Sequence, residues 1–441
     1  MFDWVVILLY GSALELDDLQ FAYQSGCSTT MCTWSVLETI DYFNRNGSDI
    51  FVCCMDMTKA FDLVKHSILF KKLRESGIPP IFLRLLIFIY MKQYACVKWN
   101  NSSSDLFGLT NGVRQGGVIS AILYCFYGNQ LFNLLRKSGY GCWLNGSYAG
   151  IFGYSDDNML VAPSIFALQK MLDICETFAN SHGLKFSTDL DPKKCKTKCT
   201  AFKVNKSTSL KDLKLCGNVL PWVNEFKHLG NTITNDRLRT NKDIAIRRAQ
   251  FVADAFEIKQ EFSYASGRTK FELNRIYNFH FTGSPLWNLT GKAMLSLESS
   301  YNHAVKNMFH VPIETHRNLI EAISQHKHLR SILMSRFFAF TQQISKSAKR
   351  FPKMLLNLVK SDVRSLTGGN LRHMLRRTEK CSISDLVKRD IQGIRYHPLS
   401  DENQWKENLI KELIDINEEM VVFNEFDNEE TTELLHFLCV N

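Results

Sequence analysis

Two acidic clusters constrain this chain more than any other feature, because each sits where a short apolar run ends. Ile50 to Asp56 is too short for a helix and reads as a buried strand, with the Asp56 carboxylate at its rim. Gly150 to Ala162 reads as strand, turn and strand, with Asp156 and Asp157 at the tip between apolar arms. Adjacent carboxylates in such a turn repel one another and destabilise it unless a cation lies between them. Hard divalent ions with oxygen ligands suit the site. Three carboxylates from two neighbouring strands can hold two Mg²⁺ ions about 3.5–4 Å apart, the arrangement that stabilises both the attacking and the leaving oxygen in phosphoryl transfer.

Alone, neither cluster says much, since Asp-Asp pairs are common in polar hairpins and strands often end in aspartate. Between them, however, lies Thr110-Asn111-Gly112-Val113-Arg114-Gln115-Gly116-Gly117-Val118-Ile119-Ser120, a glycine-rich turn opening a helix. Glycine lets a backbone approach a ligand closely, and the Gln115 amide can lie flat against a base or sugar. Many helices begin in this way, so the weight falls on the three elements occurring in this order.

Residues 19–235 alternate short apolar runs with longer periodic ones, the pattern of a mixed α/β domain. Thr30 to Phe43, His66 to Ser76, Ile81 to Tyr94, Val118 to Lys137 and Ser164 to His182 read as helices. Gly77-Ile78-Pro79-Pro80 separates the second from the third, and Gly183 ends the last. Beyond residue 236 the chain turns largely helical. Asn241 to Phe262, Met294 to Phe309 and Ile332 to Ser347 are amphipathic, and a loop at Ser365 to Asn370 precedes a basic helix from Leu371 to Lys380. The expected division is an atypical segment 1–18, an α/β domain 19–235, a helical region 236–312, a basic helical region 313–400 and an acidic tail 401–441.

A net charge of +9 and a pI near 8.8 favour a polyanionic partner, nucleic acid or an anionic membrane surface. The tail from Asp401 carries twelve acids against two lysines, so the body is more basic than the total suggests. Thirteen cysteines, an odd number set in apolar runs, point to buried free thiols in a reducing compartment rather than a disulfide framework. Cys195, Cys199, Cys216 and His228 match no zinc-finger spacing. The apolar start, Val5 to Tyr10, is too short to span a membrane and lacks a signal peptide's basic flank. A soluble, intracellular protein without a membrane partner is expected.

Asp56 with Ala60-Phe61-Asp62, then Arg114-Gln115-Gly116, then Tyr154-Ser155-Asp156-Asp157 resembles the reverse-transcriptase palm, motif by motif, most closely that of LINE-type non-LTR retrotransposons. Gly183-Leu184-Lys185-Phe186 to Lys198 and Lys227-His228-Leu229-Gly230 are similar to its next two motifs. Gln20-Phe21-Ala22-Tyr23 to Ser28-Thr29-Thr30 is similar to its fingers segment. The resemblance covers residues 20–235 and implies an α/β (α+β) right-hand polymerase: an antiparallel palm with partial fingers, then a mainly helical thumb and C-terminal region. The implied activity is RNA-directed DNA synthesis from an RNA template, a DNA primer and dNTPs, in a cytoplasmic or nuclear ribonucleoprotein.

In that family's terms, Asp56, Asp156 and Asp157 hold two Mg²⁺ ions. Phe61 stands under the incoming sugar as a gate against the 2′-hydroxyl. Arg114, Gln115, Gly116 and Tyr154 frame the nucleotide and template, and Leu229-Gly230 grips the primer end. Lys194, or its neighbours Lys196 and Lys198, gives a proton to departing pyrophosphate.

Departures from the family pattern are Gln24 and Cys27, where arginines suited to a triphosphate are common, Ser155 for the commoner alanine, and Gly117 for serine or alanine. With about twenty residues before Gln20, and no endonuclease domain or zinc knuckle, the chain reads as an N-terminally truncated piece of a mobile element's reading frame. The same features fit a second reading, a remnant that binds RNA or DNA without polymerising.

Overall fold

Four strands form the central sheet: β1 (Ile50–Met55), β2 (Ile151–Tyr154), β3 (Asp157–Ala162) and β4 (Lys198–Phe202). Their order is β4-β1-β3-β2, and every neighbouring pair is antiparallel. This computed structural model describes residues 11–375 except 190, 192, 205–207, 237, 280, 316–319 and 321–322. The acidic tail, the part of the expected Leu371 to Lys380 helix beyond residue 375 and the apolar start lie outside the described residues. β1 is central, and consecutive residues along it are buried, so the sheet is covered on both faces there. That is why its sequence is a continuous apolar run rather than an alternating one. A parallel bridge between Gln20 and Gly153 extends the β2 edge, with Phe21 N donating to Gly153 O at 2.8 Å and Gly153 N to Leu19 O at 2.9 Å.

Helix α1 (Thr29–Arg45) is capped by the Ser28 hydroxyl, which accepts from Met31 N at 3.2 Å. Ten consecutive residues, Met31 to Ile40, are buried. Its apolar spacing predicts one buried face; its polar positions are covered as well, because later parts of the chain, a strand ending at His228 and the last described helix, pack over them. Thr33 meets His228, and Glu38 meets the N-terminus of the last described helix.

Helices α2 (His66–Glu75) and α3 (Pro80–Met91) follow β1, and two small ladders lead into the glycine-rich turn. The single helix expected from Val118 to Lys137 is two: α4 (Ser120–Gly128) and α5 (Gln130–Ser138). They meet at Asn129, whose side chain accepts from Asp17 N at 2.7 Å and donates to Glu15 O at 3.2 Å. Helix α6 (Ile165–His182) then packs on the sheet.

A hairpin of β5 (Glu225–His228) and β6 (Asn231–Thr234) leads into the helical part, α7 (Asn241–Glu261), α8 (Gly267–Asn278) and α9 (Lys292–Met308). These three surround Phe251, Phe271, Phe279 and Tyr301. Helices α10 (Leu329–Lys346), α11 (Arg350–Val359) and α12 (Leu366–Leu375) return to the α/β part. Asp18 caps α11 by accepting from Arg350 N at 2.8 Å and Phe351 N at 2.5 Å. Gly368 and Gly369, expected in a loop, lie inside α12. A Cβ on Gly368 would come within 2.2 Å of Asp362 O, so glycine permits a close approach to the preceding turn. Among the described residues no helix is long and apolar enough to cross a membrane.

Candidate active site

The sheet register brings the three sequence-predicted aspartates together. Met55 pairs with Asn158, so Asp56 stands level with Asp157 across β1 and β3. Tyr154 pairs with Asp157, closing a two-residue turn at Ser155-Asp156. Asp157 is open to solvent at its edge but lies over the buried sheet end. That partial desolvation, then the charges of Asp156 and Asp56, pushes its carboxyl up to about 6. A carboxyl held up by two like charges gains from a cation placed among them, and an all-oxygen donor set fits magnesium rather than a softer metal. Among the described residues no three Asp, Glu, His or Cys side chains already form a set of metal ligands. Cys195, Cys199, Cys216 and His228 are thus not gathered into one such set, and the aspartates share a field without forming a closed cage.

The segment after Gly183 folds against Asp56. Thr58 N donates to Lys185 O at 2.9 Å, Ser187 N to Asp56 O at 2.7 Å, and Asp56 N to Thr197 Oγ1 at 3.3 Å. Of the three candidate lysines, Lys196 brings its Nζ to 4.0 Å from Asp56 Oδ2, with its side chain 71% exposed. Lys194 is exposed in the turn following Asp191, and Lys198 pairs with Cys54 in the sheet.

Phe61 is half-buried and stacks on Tyr124, with centroids 4.7 Å apart and planes at 26°. Tyr124 is buried; burial, then the charges of Asp156, Cys125 and Asp157, holds its hydroxyl well above the usual range. That aromatic support went unnoticed in the sequence, where Tyr124 is one apolar position in a helix. The glycine-rich turn is tied beside Phe61: Gly112 N donates to Val64 O at 2.8 Å, and Val113 N to Phe61 O at 2.9 Å. Gly112 has φ +90°, and a Cβ there would lie 3.1 Å from Asp62 Cα. Arg114, Gln115 and Gly116 are exposed, and Gln115 Nε2 donates to Asp62 Oδ1 at 3.3 Å.

Ser155 begins the turn at φ +62°, a region few side chains adopt. Gln20 holds it there: its Oε1 accepts from Ser155 N at 3.1 Å and from Ala22 N at 3.1 Å. No local pattern could have revealed this contact, because 135 positions separate the two residues. Gln24 turns back and donates to Gln20 O. Tyr154, at the end of β2, is half-buried, and its hydroxyl is raised by burial and then by Tyr23 and Cys32.

Leu229 and Gly230 form the β5–β6 turn, at φ +47° and +82°. Arg247 Nη2 donates to Gly230 O at 2.6 Å, and Asn231 Nδ2 to Leu229 O at 3.2 Å. Beneath them His228 is buried with its Nδ1 2.9 Å from Thr33 Oγ1, and burial lowers it to about 4.

With this geometry in view, a family model described as "Reverse transcriptase (RNA-dependent DNA polymerase)" matches residues 8–233, more than half of the chain and every candidate residue above. The chain is 27% identical over 212 residues to the "Retrovirus-related Pol polyprotein from type-2 retrotransposable element R2DM" of Drosophila melanogaster, covering 45% of this chain and 19% of that protein. It is 29% identical over 154 residues to the "Transposon TX1 uncharacterized 149 kDa protein" of Xenopus laevis, covering 34% of this chain and 12% of that protein. The chain thus spans a fifth or less of the length of these relatives. Among solved structures, apo telomerase from Candida tropicalis aligns with 87% of this chain and 60% of its own at 13% identity and a TM-score of 0.40.

Proposed function

Since the chain belongs to the reverse transcriptase (RNA-dependent DNA polymerase) family, we propose that it copies RNA into DNA as the polymerase part of a non-LTR retrotransposon protein. The observation that carries this reading is the level placement of Asp56 and Asp157, with Asp156 adjoining and Asp157 raised to about 6. The central sheet would be the palm, residues 19 to 28 part of the fingers, and α7 to α9 the thumb. Asp56, Asp156 and Asp157 would hold two Mg²⁺ ions, which when bound supply the charge that stabilises the attacking primer oxygen and the leaving pyrophosphate.

The chain's own groups do the rest. Phe61, fixed from behind by Tyr124, would close the space under the sugar 2′-carbon. Arg114, Gln115 and Gly116 present donors and bare backbone to the nucleotide from a turn anchored at Gly112. Leu229 and Gly230 would bear on the primer end. Lys196, by virtue of its place beside Asp56, is preferred over Lys194 as the proton donor to pyrophosphate.

A second reading, an RNA- or DNA-binding remnant, is favoured by Gln24, whose amide is spent on the Gln20 carbonyl instead of being offered to a triphosphate. DNA synthesis by the purified chain on poly(A) with an oligo(dT) primer and Mg²⁺ separates the two. Incorporation that falls at least about a hundredfold in Asp156→Asn/Asp157→Asn supports the polymerase. Salt-sensitive RNA binding with no incorporation supports the remnant.

A further inference from the structure

Under the Tyr154–Asp157 turn lies a cavity of about 10 Å³, lined by Gln20, Tyr124, Phe132, Ser155 and Asn158 among others. Three of these are polar and buried: Gln20 is 2% exposed, Asn158 6% and Ser155 7%. Asn158 Oδ1 has no hydrogen-bond partner, and Ser155 Oγ is near enough to the Cys125 thiol to draw it down but keeps acceptor capacity toward the cavity. Gln20 spends its oxygen on two backbone N–H groups, while its Nε2 reaches Ser155 O only at 3.5 Å. Gly153 lets the lining side chains pack close: a Cβ there would lie 2.7 Å from Asn158 Oδ1, 3.0 Å from Gln20 Nε2 and 2.6 Å from Phe132 Cζ. The Asn158 and Gln20 amides therefore stand together beside the cavity they line.

We propose that this cavity is a hydration site. One internal water donates to Asn158 Oδ1 and Ser155 Oγ and accepts from Gln20 Nε2, and through it Gln20 and Asn158 act as positioning residues for Asp156 and Asp157. Buried waters typically make about three hydrogen bonds and need roughly 10–15 Å³; a cavity of about 10 Å³ lined by three buried polar side chains stands at that lower limit. An ion is disfavoured, because the lining is neutral and partly aromatic and would leave its charge uncompensated.

The reason for such a site is the turn above it. Ser155 is held at positive φ, a conformation that persists only where its surroundings over-determine it. Asn158 Nδ2 also donates to Asp156 O at 3.3 Å, so one amide touches both the water and the backbone of a metal-binding residue.

The positioning role rests on the polymerase reading; the hydration site does not. The test compares the full chain with Asn158→Leu, which keeps the side chain's bulk and removes its polar atoms. A crystal structure fine enough to show ordered waters should place one within hydrogen-bond distance of Ser155 Oγ, Asn158 Oδ1 and Gln20 Nε2, and none in the variant. The Mg²⁺ concentration for half-maximal primer extension should rise about tenfold in Asn158→Leu. Its RNA affinity should be unchanged and its unfolding temperature lower, because Gln20 Nε2 and Ser155 Oγ lose the water; a shifted Mg²⁺ requirement at unchanged RNA affinity is a split that a purely structural role would not give. Should Asn158→Leu fail to fold, Ser155→Ala carries the same comparison. A dry cavity in the unaltered chain overturns the hydration site, and an unmoved Mg²⁺ requirement overturns the positioning role. A chain that never polymerises ends the polymerase reading and the positioning role with it, and the crystallographic water still decides the site.

Discussion

Two hairpin turns carry candidate residues, Ser155-Asp156 between β2 and β3 and Leu229-Gly230 between β5 and β6. Both join antiparallel strands through two residues, and both begin with a side chain at positive φ, Ser155 at +62° and Leu229 at +47°. They differ in what holds them. The first is fixed from within the α/β part, by the Gln20 amide and the edge bridge at Gly153. The second is fixed from the helical part, by Arg247 on Gly230 and by buried Asp243, which accepts from Thr232 N at 2.9 Å and Trp287 Nε1 at 3.0 Å. Helix α1 touches both: the Cys32 thiol lies 3.9 Å from Gly153 O, and Thr33 meets His228. The grouping of the three aspartates should therefore survive damage to the helical part, whereas the Leu229 turn should not.

The largest expected effect comes from Asp243→Leu, which leaves two buried donors without acceptors. A loss of about 3 kcal/mol is expected in denaturant unfolding. RNA-templated synthesis should fall with it, while Mg²⁺ still quenches or shifts a probe placed at the first hairpin. A loss below about 1 kcal/mol would break the comparison, because the second turn would then owe nothing to the helices.

Two smaller effects have opposite signs in pH. Glu38 is buried, and desolvation raises its carboxyl from 4.5 to about 7, although Thr367 N donates to it at 3.0 Å. Its folded pKa lies above its unfolded one, so its cost to stability is present above pH 7 and relieved as pH falls toward 4.5. His228 is lowered by burial from 6.5 to about 4, so its contribution is lost as pH falls through that window, when the unfolded chain takes up the proton first. Each amounts to about 2 kcal/mol between pH 8 and pH 5, and in the intact chain they largely offset. Glu38→Gln should therefore be more stable than the parent at pH 8 and equal to it at pH 5. His228→Gln should lose the decline on acidification that the Glu38→Gln chain displays. Parallel unfolding curves for both variants at the two pH values would show that neither group titrates as its burial demands.

The three aspartates were legible because each follows from a local rule. An apolar run of strand length must end, and the polar residue that ends it is at the rim; a hairpin tip is polar because it leaves the sheet. What holds them was not legible. Gln20 lies 135 positions from Ser155, Glu38 lies 329 from Thr367 and Asp243 lies 44 from Trp287, and no periodicity encodes such pairs. The apolar positions of α1 marked one face, but a second layer covers its polar side as well, and only the packing shows this. Three lysines spaced two apart in an irregular segment offer no phase, so nothing in their order favours Lys196 over Lys194. Helices α4 and α5 part at Asn129, whose backbone stays helical at φ −59° and ψ −30° while its side chain bonds to the chain at Glu15 and Asp17, 114 and 112 positions away.

The smallest effect bears most directly on why two turns of similar build were filled differently. With both residues at positive φ, the Leu229-Gly230 turn has the form that favours asparagine before glycine, and leucine there is strained. Leu229 is half-buried against the core, so part of what the strain costs is recovered by contact. Leu229→Asn should stabilise the chain by about 1 kcal/mol or less in denaturant unfolding. If the side chain bears on a primer, the primer concentration for half-maximal synthesis should rise severalfold at unchanged maximal rate. A gain in stability without that change would mean the turn has a poor residue for no purpose at the primer. A change in primer use without a gain in stability would mean that leucine serves the primer and that its contact with the core recovers the whole cost of the strain.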